Sequence, residues 1–304
     1  MKKWLVLFFL GKGMLGFSQG ELLPPKPVNA TPATTSPNSV ATPNATTNTA
    51  TPAPASSTTP STSATSTSTS SNTTASSSNL LSSPCVEFQQ LNHSIREGLI
   101  GKEDAKLVFK YLIPQLRLYF AEKGGVHTPR EAWRFPLAGY TYSAIGGKNG
   151  SGYTSKGFDY FDGNRSTAHP AHDIFIRDNN QDELDDVTYS HVPVLSMSSG
   201  VVVVSRNDWY PGDPSRGGNS VVIYDPTSNA LFSYAHNAYT LVSVGDIVYA
   251  GQQIGAVGRT GKNAYEKRSP THLHISYYKI SDLTGLPYPE NTYQELVNSS
   301  RRSY

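Results

Sequence analysis

Residues 30–79 read ATPATTSPNSVATPNATTNTATPAPASSTTPSTSATSTSTSSNTTASSSN, without a single charge or aromatic ring. Such a stretch cannot bury enough apolar area to offset the entropy of ordering it. It confines any packed structure to the residues downstream and marks 20–84 as a disordered Thr/Ser/Pro/Ala linker. A flexible segment of about 60 residues has a root-mean-square reach of roughly 40–50 Å. The composition predicts a tether, open to O-glycosylation, that holds a domain away from a surface, or a plain spacer.

Upstream, residues 1–19 have a positive start (Lys2, Lys3), a short apolar run from Trp4 to Leu10, and small residues at Gly16 and Ser18. This is the pattern of a secretory signal peptide. The apolar run falls short of the roughly 20 residues needed to cross a bilayer. The expected location is therefore secreted, periplasmic or cell-surface, with no membrane span after signal removal. The one cysteine, Cys85, forms no internal disulfide, so stability must come from a β core or a metal. A formal net charge of +2, with no Lys/Arg run longer than two, gives no footprint for nucleic acid.

Downstream of the linker, Phe88, Leu91, Ile95 and Leu99 fall on one face of a helix. A second run carries Leu107, Val108, Tyr111, Leu112 and Leu116, with Pro114 expected to kink it and Gly124-Gly125 to end it. The spacing predicts helices over 86–99 and 103–122 in a helical segment, 85–130. That segment reads as a packing appendage, or alternatively as a self-inhibiting cover. From Trp133 the period changes. DIFIR (173–177), GVVVVSR (200–206), NSVVIYD (219–225), ALFSYAH (230–236) and HLHISYYKI (272–280) predict strands separated by Gly, Pro and Asn. No βαβ alternation follows. The expected fold class is mainly β, an antiparallel sheet over 131–290, with a C-terminal tail at 291–304. The polar loops 145–157 and 209–218 carry Tyr and Trp residues that could line a groove.

Within that domain, residues 169–173 read HPAHD. Pro170 and the β formers Ile174-Phe175-Ile176 favour a strand over a helix. Side chains alternate on a strand, so His169 and Asp173 share a face and His172 points away. By the same rule His272 and His274 share a face in THLH, and His236 ends ALFSYAH. Four histidines and one aspartate are thus available to one pocket, a set suited to zinc, which takes nitrogen and carboxylate oxygen in tetrahedral geometry. Alternation alone does not say which of His272 and His274 is the ligand.

The order HPAHD (169–173), FSYAHN (232–237), VGDIVYAGQQIGAVGRTG (244–261) and THLHIS (271–276) resembles the lysostaphin/LytM-type zinc metalloendopeptidases of peptidoglycan. The match spans roughly 165 to 280. The resemblance implies that His169, Asp173 and His274 bind one Zn²⁺ and that His236 and His272 are catalytic. It implies hydrolysis of peptide bonds in peptidoglycan stem or cross-link peptides by metal-activated water. Three features depart from the family: His172, where Gly is frequent, an insertion, KNAYEKRSP (262–270), before HLH, and Tyr277 after HLHIS, where an acidic residue is frequent. The alternatives are a non-catalytic peptidoglycan-binding or hydrolase-activating module, and a β-rich adhesin with incidental histidines. Finally, Asp178, Asn180, Asp182 and Asp186 resemble a calcium loop, although Glu183 replaces the turn Gly and Tyr189 stands where a Glu is required.

Overall fold

The computed structural model describes residues 83–165, 167–266 and 269–302. The expected signal peptide, and the expected linker up to residue 82, lie outside the described residues.

Helix α1, Pro84–Glu97, starts where the Ser83 side chain accepts the Cys85 N–H, with Pro84 in the first turn. It stops at Gly98, whose left-handed φ of 68° suits glycine. Helix α2, Lys102–Glu122, runs through Pro114 as one element. Both agree with the sequence to within two residues. A set of short 3-10 turns leads to the strands β1 Ala171–Phe175, β2 Pro193–Leu195, β3 Gly200–Arg206, β4 Asn219–Asp225, β5 Ala230–Thr240, β6 Ile247–Val248 and β7 Gln253–Val257. Helix α3, Lys262–Glu266, falls in the insertion and is followed by β8 His272–Ile280, β9 Pro287–Pro289 and α4 Tyr293–Arg302.

The strands form one antiparallel sheet in the order β1-β8-β5-β4-β3-β6, with β7 on β5 and β2, and β9 on β8. Strand β4 shows how the sheet is covered. All seven of its residues are buried. Val221 and Ile223 point into a core with Trp133, Phe232 and Tyr277, while Val222 and Tyr224 point to the other side, against Phe88, Phe109, Leu112 and Leu116 of the helices. The helical segment thus covers the second face of the sheet. Burying each of those Phe and Leu side chains contributes about 2 kcal/mol. This is why β3 and β4 read as continuous valine-rich runs rather than as alternating ones.

The end of the chain corrects one expectation. Residues 293–302 form α4 instead of a loose tail, with Leu296, Val297, Ser299 and Ser300 buried. Arg130 ties it down through ion pairs to Glu290 (2.8 Å) and Glu295 (3.0 Å). No helix among the described residues is long and apolar enough to cross a membrane.

Candidate metal centre

Sheet register brings the expected residues together. Strands β1 and β8 pair with Asp173 opposite His274, and β5 pairs on the far side of β8 with Ala235 opposite His274. His169 precedes β1 but stays extended through a bridge to Thr154, so the alternation carries back to it. The His169 Nε2 lies 3.3 Å from Asp173 Oδ2. The His274 Nδ1 lies 3.0 Å, and His272 Nε2 3.6 Å, from Asp173 Oδ1. The His236 ring stands edge-on to His272 and His274, with centroids 4.9 and 5.5 Å away.

Backbone carbonyls set the tautomers. The Nδ1–H groups of His169, His236 and His272 donate to the carbonyls of Gly152 (3.1 Å), Thr260 (2.7 Å) and Pro270 (2.7 Å). A carbonyl only accepts, so each Nδ1 holds a proton, and in His236 and His272, which burial keeps neutral, Nε2 keeps its lone pair. His236 pays in backbone strain, with φ 65°. Its N–H donates to the Gly217 carbonyl and its carbonyl accepts from the Gly258 N–H, both at 2.9 Å. Gly261 must be glycine here, because a Cβ would lie 2.3 Å from the Arg216 carbonyl oxygen and 3.0 Å from His236 Nδ1.

The electrostatics follow from burial and from the carboxylate. Burial pushes His236 well below the ordinary histidine value, assisted by His272 and His274. Burial also pushes His272 down. Both rings are therefore neutral near pH 7. Asp173 is raised by burial, but hydrogen bonds from His169 and His274 outweigh this and hold it well below the usual carboxylate range. The Asp173 hydrogen bond raises His169.

Two groups of donor atoms lie within 4.8 Å of one another: His169, Asp173 and His274, and His236, His272 and His274. A tetrahedral zinc ion with bonds of about 2.1 Å separates its ligand atoms by roughly 3.4 Å. In the first group the Asp173 carboxylate lies 3.0 Å from His274 Nδ1 through Oδ1 and 3.3 Å from His169 Nε2 through Oδ2, close to that span. That group also brings a carboxylate, which partly neutralises a dication. Its orientation is supported from behind, with Gly152 on His169 and the Ser276 Oγ 3.5 Å from His274 Nε2.

Other expectations fare differently. His172 does point away. It is buried, its Nε2–H donates to Asn291 Oδ1 at 3.0 Å, and its ring stacks on Tyr153. It is a packing residue between β1 and the start of α4, not an exposed ring. The calcium reading of Asp178, Asn180, Asp182 and Asp186 gains no support. Asp178 accepts from the N–H groups of Asp182 (3.0 Å) and Glu183 (2.9 Å), and Asp186 from that of Asn179 (3.0 Å). The Asp182 Oδ1 accepts from the Leu184 N–H at 2.9 Å. Among the described residues the three carboxylates do not form a metal-sized group. Instead the Thr271 hydroxyl donates to Asp178, so this loop braces the start of β8 just before His272.

A cavity of about 380 Å³ opens over the histidines. One wall comes from the helical segment: Asn92, Ile95 and Arg96 of α1 line it, with Phe158, Tyr160 and Tyr278. Of the loop 209–218, it is Arg216 and Gly217 that line the cavity, while the Trp209 ring packs against Tyr265. The sequence carried no signal for the three orienting carbonyls, because backbone groups are the same in every residue.

Residues 184–286 match the family model described as Peptidase family M23. This segment, about a third of the chain, is similar to Peptidase family M23. His169 and Asp173 lie upstream of the matched residues, yet pair with His274 inside the matched segment. Solved structures similar to the chain include the catalytic domain of the antimicrobial peptidase lysostaphin from Staphylococcus simulans, at 26% identity over 43% of this chain and 81% of that one, TM-score 0.32. A zinc-containing peptidase from Vibrio cholerae is 24% identical over 54% of this chain and 39% of that one, TM-score 0.34. A putative glycyl-glycine endopeptidase LytM from Ruminococcus gnavus is 19% identical over 72% and 86%, TM-score 0.36. With scores this low the likeness to M23 is carried by the family match.

Proposed function

We propose that the protein is a secreted zinc metalloendopeptidase that hydrolyses peptide bonds in peptidoglycan stem or cross-link peptides. The observation that carries this reading is the convergence of His169, Asp173 and His274 on one ion-sized gap, with two neutral imidazoles alongside. In this reading those three residues hold the metal, and His236 and His272 are catalytic. When bound, zinc supplies a Lewis acid and lowers the pKa of its water towards 7.

The chain's own groups do the rest. With the metal held, His169 and His274 would give up the protons they share with Asp173 and present lone pairs, while Asp173 presents negative charge. The Nε2 atoms of His236 and His272 are free of protons because their Nδ1–H groups are held by Thr260 and Pro270. Either Nε2 can take a proton from attacking water. Once protonated, the same N–H can stabilise the developing oxyanion or pass its proton to the leaving amine. Their depressed pKa values favour release of that proton once the bond has broken. The match of residues 184–286 to Peptidase family M23 supports a peptidase, and the substrate class is the one implied by the sequence resemblance to the lysostaphin/LytM-type enzymes.

Purified full-length chain should carry one zinc per molecule by metal analysis and release new amino groups from peptidoglycan. His274→Ala should lose both. A wild-type chain that holds stoichiometric zinc yet releases nothing overturns the hydrolase reading, and a His274→Ala variant that keeps full hydrolysis overturns the ligand assignment.

A further inference from the structure

The wall of the metal cavity contributed by α1 ends in a cation. Arg96 is half-buried, and its Nη1 lies 3.5 Å from where a Cβ on Gly217 would stand. Gly217 is the residue whose carbonyl accepts the His236 backbone N–H, and Arg96, Gly217 and His236 line the same cavity. Around it are neutral rings and another cation. Tyr160 and Tyr278 flank it, and Arg206 and Glu97 are the other charged groups it feels, with Glu97 contributing least. Glu97 is itself exposed, on the solvent side of the helix end. Burial pushes Tyr160 up to about 12, so the phenol supplies no counter-charge at neutral pH. No carboxylate among the described residues pairs with Arg96.

A half-buried arginine without a partner carboxylate is costly, since its desolvation is not repaid within the fold. Here it is also aimed into a cavity. The Phe158 and Tyr278 rings stack at 5.3 Å and 10°, giving a flat aromatic wall next to the guanidinium. A guanidinium binds a carboxylate through two parallel N–H···O bonds, a planar arrangement that such a wall accommodates. Arg216 lines the same end of the cavity.

We propose that Arg96 is a specificity residue that receives a carboxylate of the peptide lying across the metal centre. The proposal rests on the peptidase reading and deepens it. The substrate is a peptide with an acidic group beside the scissile bond, and the helical segment completes the substrate groove. The groove is then built by two parts of the chain that lie more than a hundred residues apart.

The test uses full-length chain and two cell-wall preparations, one untreated and one whose carboxylates have been converted to amides with carbodiimide and ammonia. Phosphate groups survive that treatment, so a loss on amidation reports carboxylates. Wild type should release amino groups at least tenfold more slowly from amidated walls. Arg96→Gln should cut untreated walls about as slowly as wild type cuts amidated ones, and amidation should then change its rate less than twofold. Arg96→Lys should recover part of the discrimination. Thermal midpoint and zinc content of each variant check folding. If amidation slows wild type and Arg96→Gln by the same factor, or slows wild type not at all, the proposal is wrong. If wild type cuts neither wall, the peptidase reading fails. Co-sedimentation then decides on Arg96 alone: wild type must bind untreated walls better than amidated ones and Arg96→Gln must not, or the proposal falls as well.

Discussion

Two acidic motifs lie within 20 residues of each other, and both look like metal sites in sequence. In HPAHD the carboxylate of Asp173 meets His169 and His274 across a sheet register. In the 178–186 loop, the carboxylates of Asp178, Asp182 and Asp186 are consumed by nearby N–H groups. The difference is backbone state. On paired strands, main-chain N–H groups are already engaged in the ladder, so side chains are left to meet each other. In a loop those N–H groups are free, and a short carboxylate finds them first. Residue types and spacing alone therefore overstate metal sites in loops and are more trustworthy on strands.

The contrast can be broken most severely at the metal centre. His274→Ala, which removes a residue shared by both donor groups, should lower peptide hydrolysis at least about a thousandfold. Asp186→Ala, at the loop, should leave hydrolysis within about twofold. Steady-state rates on one wall preparation compare the two. Equal losses would mean that the loop shares in the chemistry.

A smaller effect belongs to Asp185, the loop carboxylate that is buried against Arg177, Tyr140 and the N–H groups of Val187 and Thr188. Asp185→Asn should lower stability by denaturant titration, because the amide offers one acceptor oxygen in place of the two that take up Tyr140, Arg177 and the N–H groups of Val187 and Thr188. Burial raises this carboxylate, but Tyr140, the two N–H groups and Arg177 outweigh that and hold it well below its ordinary 3.8. A depressed folded pKa stabilises above the unfolded value and is lost below it. The wild-type advantage over the variant should thus be full at pH 6 and shrink as pH drops below 3.8. An advantage that grows on acidification contradicts the assignment.

The smallest effect expected is from calcium. Millimolar calcium added to zinc-loaded protein should move the thermal midpoint by less than about 1 °C, since only binding to the folded state raises it. A rise of several degrees would restore the loop as a cation site.

Much of this molecule was legible before folding was considered. The strands at 200–206, 219–225 and 272–280 coincide with β3, β4 and β8, because β-branched runs bounded by Gly, Pro and Asn have few other stable forms. Alternation also oriented His169, Asp173 and His172 correctly. The short strands β2, β6, β7 and β9 were not delimited, since two to five residues carry too little periodicity, and α4 was taken for a tail because it is short and polar, burying only part of one face.

What the residues alone determined was local: which segments extend, which coil, and which histidines share a face. These follow from side-chain shape and the two-residue period of a strand. Only the tertiary structure decided that α1 lends Arg96 to the cavity, that the loop aspartates serve backbone N–H groups, and that Gly152, Thr260 and Pro270 fix the imidazole tautomers. Each depends on segments far apart in sequence meeting, or on backbone groups every residue carries, and neither leaves a mark in residue type or spacing.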